Sequence, residues 1–240
     1  MRLGSGVSCA GGRPMNVLIL LAGLAAVLTA PGRTDADRAR DAMRRPAEVV
    51  AFAQVRPGWK VAEYTPGGGY FTRVLSPAVG AKGRVYTYPP DEIVKLLPGH
   101  LTDARANAAA APLRNVTVLT GATTAFAAPE PLDLVFTAQN YHDLHTRYAV
   151  AGAPAAFNAA VFRALKRGGR YVIVDHRGDQ PDQLHRIDPA QVRREVEAAG
   201  FVFEAASDVL ANPTDPRSAS VFDPSIRGRT DQFALRFRKP

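Results

Sequence analysis

Apolar and polar positions along this chain repeat with two different periods, and the switches between them outline its elements. From residue 35 to 55, charged residues give way to Val49, Val50 and Phe52 at helical spacing, with Pro46 where a second helix would begin. Arg56-Pro57-Gly58 is a turn. Lys60-Val61-Ala62-Glu63-Tyr64 reads as a short strand, and Phe71, Val74 and Leu75 return at helical spacing after a glycine cluster. The alternation then repeats. Arg84-Val85-Tyr86-Thr87-Tyr88 is a predicted strand, closed by Pro89-Pro90. Helical segments follow over 91–97 and 102–111, and strands over 115–119 and 132–136. Phe157, Val161 and Leu165 form one helix face, ended by Gly168-Gly169. Tyr171-Val172-Ile173-Val174 is unbroken apolar sequence, as suits a strand buried on both faces.

The C-terminal quarter changes the pattern. Asp188-Pro189-Ala190-Gln191 combines an N-cap acid, a first-turn proline and the glutamine of a capping box. Val192 and Val196 form the buried stripe of that helix, and Gly200 ends it. Residues 201–210 and 231–238 alternate as strands with only a polar loop between them, which predicts an antiparallel pair. The expectation is therefore an α/β fold: a Rossmann-like, seven-stranded, mostly parallel sheet with an antiparallel C-terminal strand and helices on both faces.

The first thirty residues stand apart. They hold Arg2 and Arg13, no acid, and an apolar run from Val17 to Leu28. Twelve helical residues reach only about 18 Å, too short for a stable membrane span. The pattern reads as a secretory signal over residues 1–30, with small residues up to Ala30 for cleavage, and predicts export, to the periplasm in a bacterium. A true start at Met15 would instead leave the protein in the cytoplasm. Residues 31–55 are then expected to form a helical lead-in, and 56–240 the main α/β domain. The formal charge of +8 is spread along the chain without a dense basic run, which argues against nucleic acid as a partner. A single cysteine, Cys9, excludes a disulfide framework within the chain.

In an open parallel sheet, ligands bind beyond the carboxyl ends of the strands, and the first strand-to-helix turn needs glycine to let a ligand approach. Thr65-Pro66-Gly67-Gly68-Gly69 sits in that place. This turn, together with Gln139-Asn140-Tyr141-His142-Asp143-Leu144-His145 and the tail from His185, resembles the class I S-adenosylmethionine-dependent methyltransferases. Within them the chain is similar to bacterial predicted methyltransferases with a signal-like N-terminus. The resemblance implies S-adenosylmethionine as cofactor and a small molecule as methyl acceptor. It places the cofactor against Glu63, Tyr64, Thr65, Gly67 and Gly69, against Tyr88 and Asp91 beyond the second strand, and against Ala122 and Thr137. Three positions depart from the family pattern. Thr65 replaces a glycine, Pro89 stands where a ribose-binding acid is usual, and Gly121-Ala122-Thr123 lacks the acid common near the adenine.

Histidines gather at the same predicted edge. His142 and His145 follow the fourth strand, His176 follows Asp175 at the end of the fifth, and His185 precedes the capped helix. Methylation of a hydroxyl needs a base for its proton, and histidine oriented by a carboxylate suits that work near neutral pH. The expectation is His142 as base, Asp143 or Asp175 as its orienting acid, and Asn140 and Tyr141 as positioning groups, with His176 beside them. The competing readings of this stretch are a packed core histidine with Asp143 as a helix cap, or metal ligation by some of His142, Asp143, His145, His176 and His185. Proton chemistry without a metal is the expectation for these residues. Two other functions fit the pattern less well. One is an exported ligand-binding protein that kept the fold without the chemistry. The other is a nicotinamide-dependent oxidoreductase, against which Thr65 and Pro89 both argue.

Overall fold

The structure is a computed structural model, and it describes residues 27–240. The signal-like segment expected over 1–30 falls almost entirely outside the described residues. Among those described, no helix is long and apolar enough to cross a membrane.

Seven strands form one sheet in the order β3-β2-β1-β4-β5-β7-β6. They are β1 (Lys60–Tyr64), β2 (Arg84–Tyr88), β3 (Val116–Val118), β4 (Leu132–Ala138), β5 (Leu165–His176), β6 (Val202–Ser207) and β7 (Gln232–Arg238). β1 to β5 are parallel, and β7 runs antiparallel between β5 and β6. The strand order reverses between β1 and β4, so the crevice above their carboxyl ends is the switch point where such sheets bind ligands.

Among the described residues the helices include α1 (Asp35–Arg38), α2 (Asp41–Arg44), α3 (Pro46–Ala53), α4 (Thr72–Val79), α5 (Asp91–Leu96), α6 (Gly99–Ala109), α7 (Ala153–Ala164), α8 (Pro181–Leu184) and α9 (Pro189–Ala198). Two apolar layers sandwich the sheet. On one face Val61, Val85, Leu134 and Val172 pack with Val49 and Val50 of α3 and Val74 and Leu75 of α4. On the other, Ala62, Val135, Tyr171 and Ile173 pack with Phe157 and Val161 of α7 and Val192 and Val196 of α9. β1, β2, β4 and β5 thus supply apolar side chains to both layers, whereas the edge strand β3 adds only Val116 to one.

Two local expectations need correcting. Gly168-Gly169 does not end a helix. α7 stops at Ala164, because Leu165 is already extended (φ −78°, ψ 142°), and the two glycines lie inside β5. Leu165 is buried as the first residue of β5 while continuing the spacing of Phe157 and Val161, so its apolar character gave no boundary. There is also no capping box at Asp188. Its carboxylate caps through Ala190 N–H, while Gln191 donates to Glu195 within α9.

Candidate functional site

The turn after β1 has the backbone that its glycines imply. Thr65, Gly67 and Gly69 all have left-handed φ, at 52°, 53° and 78°. At Gly67 a side chain would meet nothing within 4 Å, so this backbone faces open space. Gly69 is covered by the chain itself. A Cβ there would stand 2.2 Å from the Asn107 side-chain nitrogen on α6. Arg73 bonds Asn107 and the Gly68 carbonyl, closing that side of the turn. Thr65 keeps the left-handed geometry despite its branched side chain. Its N–H donates to the Tyr88 carbonyl, and its own carbonyl accepts from Asn140 Nδ2 at 3.1 Å.

Glu63 is buried beneath this turn, where Thr72 Oγ1 donates to it at 2.5 Å. Burial pushes its carboxyl up to about 7, against the opposing pull of Thr72, Arg73 and Arg44. Tyr64 points to the other face. Its ring lies 4.2 Å from that of Phe157, and its hydroxyl meets Thr123 Oγ1 at 2.8 Å. Tyr88 closes over the stretch after β3, donating to the Ala122 carbonyl at 3.0 Å. Asp91 is exposed at the start of α5. Its neighbour Glu92 accepts from the N–H and hydroxyl of Thr123. Thr137, at the end of β4, has a fully buried hydroxyl without a hydrogen-bond partner.

The histidine edge resolves into separate groups. His142 begins a 3-10 turn, His142–His145, rather than a capped α-helix. Asp175 is fully buried at the end of β5 and holds His142 twice, through the backbone N–H and through Nδ1, both at 2.8 Å. Burial alone would raise Asp175 and lower His142, but their pairing outweighs it. The acid is held below its ordinary range and the imidazole above its own. Of the two carboxylates proposed to orient His142, Asp175 is therefore the one on Nδ1. Asp143 lies on the opposite side, 3.3 Å from Nε2. His185 Nδ1 also faces that nitrogen, at 3.2 Å.

The remaining residues of this stretch do other work. Tyr141 turns away from the crevice. Its buried hydroxyl donates to Glu195 and accepts from Asn158, so it holds the 3-10 turn against α7 and α9. His145 joins Glu195 on that side. Asn140 links the β4 end to the glycine turn through the carbonyls of Ala138 and Thr65. His176 bonds Thr230, and burial brings its basicity down to about 3, so it is a neutral ring.

His176 borders a cavity of about 420 Å³, together with Arg40, Arg44, Gln139, Phe222, Arg227 and Gln232. Sequence reasoning missed this cavity. Its cations come from the lead-in helices and the C-terminal loop, and no spacing in the chain joins them. Arg44 donates to Gln139, 95 residues away. Two further anchors hold the lead-in over the site: the buried Asp37–Arg73 pair, and Tyr70 donating to Asp41.

No model of a known protein family matches the chain, and no curated protein matches it in sequence. Solved structures do match. A methyltransferase from Aquifex aeolicus that depends on S-adenosylmethionine aligns over 81% of this chain and 89% of its own, with TM-score 0.60 and 21% identity. The [4+2]-cyclase SpnF covers 94% of each chain with TM-score 0.62 and 16% identity. Fibrillarin from Aeropyrum pernix, with S-adenosyl-L-methionine natively bound, aligns over 79% of this chain and 73% of its own, with TM-score 0.50 and 12% identity. The fold is that of the class I methyltransferases. SpnF carries a different named activity on the same architecture, so fold alone does not assign the chemistry.

Proposed function

We propose that this protein transfers a methyl group from S-adenosylmethionine to a small anionic acceptor. The observation that carries the reading is the Asp175–His142 pair, an oriented base at the carboxyl ends of β5 and β4. The fold comparison supports it. The cavity rimmed by Arg40, Arg44 and Arg227 favours an acceptor with a carboxylate or phosphate.

The residues around the turn fit the cofactor. Gly67 offers open backbone, and the unpartnered Thr137 hydroxyl would gain a partner from a group bound beside it. By the resemblance, the turn from Thr65 to Gly69 would hold the methionine part, Asp91 the ribose hydroxyls, and the Ala122 stretch the adenine. The space bounded by Tyr64, Glu92, Thr123 and Asp143 is only about 20 Å³, room for one water. An adenine there requires this wall to open, and Leu96, Tyr148 and Val150 are its exposed apolar members.

Bound S-adenosylmethionine supplies an electrophilic methyl on a sulfonium. His142 Nε2 would take the proton of the acceptor's hydroxyl as the methyl passes from the sulfur to that oxygen, leaving S-adenosylhomocysteine. Asp175 keeps the ring in the tautomer with an unprotonated Nε2, the atom that His185 Nδ1 faces at 3.2 Å, and stabilises the imidazolium that results. The arginines of the cavity hold the acceptor's anionic group. Export, read from the N-terminal segment, belongs to the same proposal, and N-terminal sequencing of the fractionated protein tests it.

Transfer of labelled methyl from S-adenosylmethionine to a panel of hydroxylated carboxylates and phosphates tests the function. Transfer to at least one, with kcat reduced about 100-fold or more in His142→Gln, is the expected outcome. Equal rates in that variant would remove His142 from the chemistry.

A further inference from the structure

We infer that His142, Asp143 and His185 form a binding site for a divalent transition-metal ion. His142 Nε2, Asp143 Oδ1 and His185 Nδ1 converge with separations of 3.2, 3.3 and 3.7 Å. A point about 2.1 Å from all three atoms exists, roughly 0.7 Å out of their plane, and the three would subtend angles of roughly 100° to 125° there. Those are metal–ligand lengths and near-tetrahedral angles.

With its Nδ1 proton directed at Asp175, neutral His142 presents a lone pair at Nε2, 3.3 Å from an Asp143 oxygen that also accepts, and a cation among the three atoms would serve both.

The surroundings have the anatomy of a metal centre. Asp175 bonds the distal nitrogen of His142 and its backbone N–H, the carboxylate–histidine arrangement that fixes a ligand's tautomer and orientation. Phe222 packs edge-on against His185, with ring centroids 4.8 Å apart, and limits where that ring can swing. The His142 side chain is 4% exposed, while those of Asp143 and His185 are 26% exposed. The ion would therefore be anchored on the inside and open on one side to water or a substrate oxygen. Two imidazoles and one carboxylate suit zinc, iron, cobalt or nickel, rather than magnesium or calcium. His145 and His176 do not belong to this set, since Glu195 and Thr230 hold them elsewhere.

The site goes beyond methyl transfer and stands whether or not that reaction occurs. Ion and proton compete for the same Nε2. With an ion bound, His142 is a ligand, and an oxygen in the open position is acidified by the metal instead.

The test is titration of the full, tag-free, chelator-treated chain with Co²⁺ alone, followed by its visible d–d absorption. One ion per chain is expected, with the intense bands of low coordination. Asp143→Ala and His185→Ala should each weaken binding about tenfold or more, and Asp175→Asn should weaken it about tenfold without removing a ligand. His145→Ala should change nothing. Asp143→Asn and His185→Gln keep side-chain size if the alanine variants unfold. An absent band, or unchanged affinity in the His185 variants, would overturn the site. No S-adenosylmethionine is present, so this failure is separate from failure of the methyl-transfer assay, which runs on chelator-treated protein.

Discussion

Thr65 occupies a backbone conformation that suits glycine, at φ 52° in a buried turn. A branched residue there costs about 1–3 kcal/mol of strain, more than the 0.4–1 kcal/mol that glycine adds through unfolded-chain entropy. Thr65→Gly should therefore raise stability by about 1 kcal/mol in urea denaturation, and a loss of stability would show that its packing outweighs its strain. Glu63 is the second anomaly. Its folded carboxyl sits near 7 against an ordinary 4.5 because burial disfavours the charge. The folded state then holds the proton more tightly than the unfolded chain, so the contribution is full below pH 4.5 and declines as pH rises toward 7. The decline is about 3 kcal/mol at most. Glu63→Gln should flatten the fall in Tm between pH 5 and 7, and a parallel fall in variant and wild type would contradict this origin.

At the scale of elements, the lead-in helices are bound to the domain by buried charge. Asp37 is fully buried, takes two bonds from Arg73 and forms a capping box with Thr34. Removing one member of such a pair leaves an uncompensated charge, at about 3–5 kcal/mol. Asp37→Ala should show that loss in urea denaturation, whereas Glu197→Ala, from an exposed pair on α9, should stay within about 0.5 kcal/mol. Equal effects would mean that the lead-in is not held this way. The strands were legible because parallel strands buried on both faces leave unbroken apolar runs such as Tyr171 to Val174. The end of α7 was not, because the buried Leu165 keeps the helical spacing of Phe157 and Val161 although it is already extended.

Across the whole molecule, what could be read in advance depended on sequence distance. His142 and Asp143 are adjacent, and the glycine turn is one segment, so both were visible in the chain. Which carboxylate orients His142 was not, because Asp175 reaches it only through the pairing of β4 with β5. His185 meets His142 across 43 residues, Arg44 meets Gln139 across 95, and Asn107 covers Gly69 from a different helix. These contacts come from the packing of separate elements around the switch point, and no local spacing encodes them. The central claim is that this switch point holds S-adenosylmethionine at Gly67. Calorimetric titration with S-adenosylhomocysteine tests it most directly, comparing the wild-type chain with Gly67→Ala, whose added methyl meets nothing in the fold itself. One site per chain, weakened about tenfold or more in a variant that still melts cooperatively, is the predicted result. No heat and no thermal shift with either S-adenosylhomocysteine or S-adenosylmethionine would contradict the account.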